Sequence, residues 1–206
     1  MSRLCAVFCG GDPLSRKTFE TCPAAEYNIA ADSGYILAQK LGVTPDLIIG
    51  DFDSAPKPAG GNIITFPVEK DDTDLMLALR KGLELGYDRY LILGATGGRI
   101  DHTLAAVQSL AFLTAHNASG EIVSDTERIT LLTPGEHSLP YMAGFSLSLF
   151  AYSERVSGLC IEGAKYTCRG VELDSSFPLG ASNQVTSEEA KVSFTSGLLL
   201  AVRASL

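Results

Sequence analysis

Along the first half of the chain, apolar residues fall into short unbroken runs separated by stretches of helical period. Leu4 to Cys9, Tyr27 to Ala31, Asp46 to Ile49, Asn62 to Phe66 and Tyr90 to Leu93 read as strands, and Glu121 to Val123 as a last one. Between them, Tyr35 to Leu41 reads as a short helix closed by Gly42. Thr73 to Leu85 reads as a longer helix, with Leu75, Leu79 and Leu83 on one stripe and Gly86 as its stop. Asp101 to Ala115 reads as another. Strands alternating with helices predict a mostly parallel α/β sheet. From about Arg128 the texture changes. Short alternating segments such as Ser146 to Phe150 and Lys191 to Phe194 lie between Gly, Pro and Ser clusters, which predicts a small all-β domain, sandwich or barrel. The boundary is expected near Asp125, giving domains 1–125 and 126–206 without internal repeats.

Composition narrows the classes. Hydrophobic residues make up 46 % of the 206 residues and charged ones 19 %, enough for a sizeable core. The net charge of −8 disfavours a general nucleic-acid or anionic-membrane binder. The five cysteines, Cys5, Cys9, Cys22, Cys160 and Cys168, form no CxxC pair, so reduced thiols are expected rather than zinc or a disulfide framework. The Leu4 to Cys9 run is too short for a signal-peptide core or a membrane span, and a cytoplasmic protein is expected.

The chemistry gathers where the strands end. In open α/β sheets, ligands bind beyond the carboxyl ends of the strands. Here those ends carry Asp32, then Asp51 and Asp53 in GDFDS, then Lys70-Asp71-Asp72-Thr73-Asp74, then Gly94 to Gly98 followed by Arg99, Asp101 and His102. Each piece has a plain structural reading: a solvated turn, a helix N-cap, or glycines that serve only a turn. Together they exceed what capping requires. So many carboxylates around one site would repel without a cation, and Mg²⁺ suits oxygen ligands with phosphate. Gly97 and Gly98 would let backbone N–H groups approach a phosphate, and Arg99 offers a fork for its oxygens. His116 and His137 lie away from these loops.

ADSG (Ala31 to Gly34), GDFDS (Gly50 to Ser54), KDDTD (Lys70 to Asp74), GGRIDH (Gly97 to His102) and PLGASNQ (Pro178 to Gln184) together resemble the bacterial thiamine pyrophosphokinases, over nearly the whole chain. The resemblance implies an α/β nucleotide-binding domain followed by a β-sandwich that binds thiamine and dimerises. It implies Asp51, Asp53, Asp71 and Asp74 around Mg²⁺ and the triphosphate of ATP, with Asp32 nearby. Lys70 and Arg99 would neutralise phosphate, with Thr73, Gly97 and Gly98 lining the same loops. Asp101 would hold ATP or orient the attacking hydroxyl, supported by His102, and Ser182 and Asn183 would contact the thiamine pyrimidine. The family often has an acidic residue where this chain has Gln184, and its animal members stack an indole on thiamine where this chain has no Trp. Phe177 or a tyrosine would stand in. The rival readings are a diphosphokinase acting on a pterin and a non-catalytic nucleotide- or thiamine-binding module.

Overall fold

The strand Leu4–Phe8 (β1) is buried at every residue, as an unbroken apolar run requires in a parallel sheet covered on both faces. The computed structural model containing it describes residues 2–52, 56–67 and 72–206. It divides into two compact units, Met1–Asp125 and Thr126–Leu206.

In the first unit, β1 is followed by a one-turn helix, Arg16–Phe19 (α1), which the apolar pattern does not announce. Ser15 caps it, accepting from Thr18 N, and is itself held by the Asp125 carboxylate at 2.7 Å. Then come β2 (Tyr27–Ala31), α2 (Gly34–Lys40), β3 (Leu47–Gly50) and β4 (Ile63–Thr65). The unit ends with α3 (Asp74–Glu84), β5 (Arg89–Leu93), α4 (Ile100–Ala115) and β6 (Ser119–Val123). The strand order is β4-β3-β2-β1-β5-β6, with every one of these pairings parallel among the described residues.

Helix α3 differs from the leucine stripe expected of it. Its buried residues are Ala78, Leu79 and Gly82, while Leu75 and Leu83 are half-buried. Small residues on either side of Leu79 let the helix lie close to the sheet. Leu79 is fully buried, worth about 1.5 to 3 kcal/mol. Thr73, expected inside this helix, is its N-cap, because its Oγ1 accepts from Met76 N at 3.2 Å.

The second unit contains β7 (Glu127–Leu132), β8 (Gly135–Pro140), β9 (Ser148–Ala151), β10 (Arg155–Glu162), β11 (Cys168–Asp174), β12 (Glu189–Phe194) and β13 (Leu199–Ala204). Four of these form an antiparallel sheet in the order β11-β10-β12-β8. Strand β13 pairs antiparallel with β7 and with β9. Leu149 and Leu199 from the second group, with Leu147 just before β9, share one core with Val156, Leu159, Val192 and Phe194 from the first. That is the layering of a β-sandwich. All five cysteines are free. No described helix is long and apolar enough to cross a membrane.

Candidate active site

The chain lays down β1 to β4 in one direction, then returns to place β5 and β6 on the other side of β1. The order therefore reverses between β1 and β5, the place where open α/β sheets bind ligands. The loops leaving these two strands are joined by a backbone ladder. Cys9 N donates to the Leu93 carbonyl at 2.8 Å, Gly11 N to Gly94 at 2.8 Å, and Asp12 N to Thr96 at 3.0 Å. Asp12 thereby joins the rim, a residue the strand reading passed over. The signal available was its place directly after Gly10-Gly11 at the end of the central strand.

Beside this crevice stand three carboxylates. Asp32 follows β2, Asp51 follows β3, and Asp74 opens α3; one oxygen from each lies within 4.8 Å of the others. The family resemblance implies Asp32 near the expected metal ligands, and the structure groups its carboxylate with those of Asp51 and Asp74. Its backbone N donates to the Ile49 carbonyl at 2.7 Å with φ at 47°. Gly50 makes this approach feasible, since a β-carbon there would sit 2.8 Å from the Asp32 Cα. The Asp32 Oδ1 is buried without a hydrogen-bond partner among the described residues. A buried anionic oxygen left unpaired is costly unless a cation or a donor arrives. Repulsion within such a cluster is on the order of 1 to 4 kcal/mol per pair at 4 Å, from water to a protein surface.

Asp53, Lys70 and Asp71 lie outside the described residues. Asp72 pairs with Arg80 at 3.0 Å rather than with the cluster. Behind the rim, burial and then the Asp74 charge push the Cys9 thiol up to about 12, so it stays protonated at neutral pH.

On the β5 side, Gly97 and Gly98 are exposed with φ of 83° and 59°. Asp101 and His102 are not the cap of α4; Arg99 occupies that position, and Asp101 lies in the first turn. Arg99 Nε donates to Asp101 Oδ1 at 3.1 Å, with Nη2 on the other oxygen. The Arg99 guanidinium holds the Asp101 carboxyl below the usual carboxylate range, and the pairing raises Arg99 in turn. His102 is exposed, its backbone N donating to Asp101 Oδ1 at 3.1 Å.

In the second unit, Ser182 is exposed with φ 58°, while Asn183 is buried and committed. The Asn183 Oδ1 accepts from Tyr166 N and Gln184 N, both at 2.9 Å, and its Nδ2 donates to the Tyr166 carbonyl at 2.8 Å. Phe177 and Tyr166 are exposed aromatics of the same unit.

Residues 20–122 match the family model of the thiamin pyrophosphokinase catalytic domain, and residues 136–199 match that of the thiamin pyrophosphokinase vitamin B1 binding domain. The chain is 29 % identical over 185 residues to thiamine pyrophosphokinase of Bacillus subtilis, covering 86 % of each. It is similar to the crystal structure of thiamine pyrophosphokinase from Bacillus subtilis, with TM-score 0.90, 26 % identity, and 99 % and 100 % of the two chains covered. Thiamin pyrophosphokinase from Geobacillus thermodenitrificans follows, with TM-score 0.85, 27 % identity and 98 % of each chain covered. These matches favour the thiamine reading over a pterin diphosphokinase or a non-catalytic module. With one family model on the unit that carries the acidic rim and a second on the β-sandwich, the chain belongs to the thiamin pyrophosphokinase family.

Proposed function

We propose that this chain transfers the pyrophosphoryl group of ATP to the primary alcohol of thiamine. The alcohol oxygen forms a bond to the β-phosphorus and gives up its proton to solvent. The bond from the β-phosphorus to the oxygen bridging it to the α-phosphorus breaks, and that oxygen leaves with AMP. The observation that carries this reading is the Asp32, Asp51 and Asp74 cluster, with its buried oxygen unpaired among the described residues, beside the sheet's switch point.

The donor set fits Mg²⁺, which takes hard oxygens and needs only one or two carboxylates beside phosphate and water. Asp51 and Asp74 would hold the ion with Asp32 beside them, and by sequence Asp53 and Asp71 belong to the same set. Bound there, the ion would supply charge neutralisation on the triphosphate. Arg99 turns its fork from Asp101 to phosphate, and the N–H groups of Gly97 and Gly98 at the start of α4 add donors. Lys70 belongs with them by sequence. Released from Arg99, Asp101 accepts from the attacking hydroxyl and orients it, supported by His102. Ser182 meets the pyrimidine of thiamine, and Asn183 holds the turn that presents it; Phe177 or Tyr166 offers a stacking face. On this reading residues 1–125 bind the nucleotide and residues 126–206 bind thiamine and pair two copies in a cytoplasmic homodimer.

The test is AMP release from ATP with Mg²⁺ in the presence and absence of thiamine. Thiamine-dependent AMP, lost when Asp51 and Asp74 are both changed to Asn, is the expected result. AMP without thiamine dependence points to another acceptor, and no AMP to a binding module.

A further inference from the structure

Phe52 sits directly after Asp51 with φ at 58°, in the left-handed region where a bulky side chain is an outlier. Such a conformation persists only where its surroundings enforce it, and it gathers at functional sites. The surroundings here are apolar. The Phe52 ring packs against the cluster of Ala30, Tyr35 and Ile48. The Lys57 ammonium lies 5.8 Å from its centroid and donates to Thr65 Oγ1 at 2.9 Å. Tyr35, 9 % exposed, ties a later point of the same loop to α2 by donating its hydroxyl to the Pro56 carbonyl at 2.8 Å. Before the turn, the Gly50 carbonyl accepts from Phe66 N at 3.1 Å.

These contacts bear on a specific difficulty. Asp51 stands beside Asp32 and Asp74, and three like charges push one another apart. We propose that Phe52 is a positioning residue for the cation site: its ring is an apolar anchor that fixes Asp51 in ligand position before a cation arrives, with Tyr35 bracing the loop beyond it. The inference rests on the divalent-cation reading of the acidic cluster and goes beyond it by naming what preorganises that cluster.

The experiment titrates Mn²⁺ into the full-length protein, without nucleotide, and reads the free ion by electron paramagnetic resonance. Phe52→Ala is expected to weaken Mn²⁺ binding by about tenfold or more, the usual effect of losing a residue that orients a metal ligand. Phe52→Leu, which refills the apolar site, restores most of it. Phe52→Gly separates anchoring from backbone conformation: it relaxes the φ strain yet loses the ring, and is expected to bind as weakly as Ala. Tyr35→Phe removes one hydroxyl and is expected to weaken binding on the order of threefold. A residue with only a structural role would lower the unfolding midpoint and leave Mn²⁺ affinity of the folded protein unchanged. Wild-type affinity in Phe52→Ala and Phe52→Gly overturns the inference while leaving the cation reading intact. If Phe52→Ala does not fold, unchanged affinity in Tyr35→Phe overturns it instead. Absence of Mn²⁺ binding by the wild type overturns both.

Discussion

The Asp12 carboxyl fills the space that a side chain at residue 97 would occupy: a β-carbon on Gly97 would lie 2.0 Å from the Asp12 Cγ. Gly97 also has φ at +83°. Gly97→Ala therefore meets a steric and a conformational obstacle together, and the Asp12 side chain must turn away. We expect a stability loss of about 1 to 2 kcal/mol from the backbone alone, read from a urea midpoint. A rise in KM for ATP should accompany it, since the same loop faces the proposed phosphate site.

Asp32→Asn should separate stability from activity. Removing one charge from the cluster relieves repulsion, so the protein without divalent ion melts at a higher temperature than the wild type. The gain on adding Mg²⁺ shrinks at the same time, and AMP release falls at least tenfold, as expected for loss of a carboxylate beside the proposed metal ligands. A variant that melts lower without metal would show that the Asp32 carboxylate is paired rather than orphaned.

Asn183→Ala leaves the Tyr166 N–H and carbonyl without their side-chain partners in a half-buried setting. The expected cost is about 1 to 3 kcal/mol, measured by urea unfolding. Ser182→Ala, at an exposed residue, should leave stability within about 0.5 kcal/mol of wild type and raise KM for thiamine.

Alkaline pH should destabilise the first unit through two thiols. Burial pushes Cys5 and Cys9 each from 9.0 up to about 12, with lesser contributions from the charges of Asp46 and Asp74. A group whose folded pKa is raised favours folding fully below its unfolded pKa and loses that contribution as pH rises toward the folded value. Stability should thus fall from about pH 9 upward, and less steeply in Cys9→Ala. At pH 8, iodoacetamide should label Cys22, Cys160 and Cys168 before Cys5 or Cys9.

Strands were legible wherever burial leaves an apolar run, and Tyr27–Ala31 matches the reading residue for residue. The helix ends were legible from their caps, Gly42 taking φ 79° and Gly86 φ 81°. The turn of helix at Arg16–Phe19 was not, because it buries no residue and rests on a hydrogen bond to Asp125, 110 positions away from Ser15. The buried face of α3 was misplaced for a related reason: the leucines are the visible signal, whereas Ala78 and Gly82 decide how near the helix lies. In the site, the acidic loops pointed to Asp51 and Asp74, whose carboxylates the structure brings together. The full entry of Asp32 depends on Gly50 and on a left-handed backbone, which a pattern of polar and apolar letters does not encode. The Arg99 to Asp101 pairing and the commitment of Asn183 to Tyr166 are likewise rotamer-level facts.

The ladder joining the loops after β1 and β5 has a kinetic consequence. Amides of Gly11 and Asp12 lie outside any strand, yet they are bonded like sheet amides. They should exchange with deuterated solvent on the slow schedule of the central strand, not the fast one of a surface turn. On the proposed function, a nucleotide arriving at this edge would meet a wall already set. Backbone remodelling during the proposed turnover must then be sought beyond this ladder.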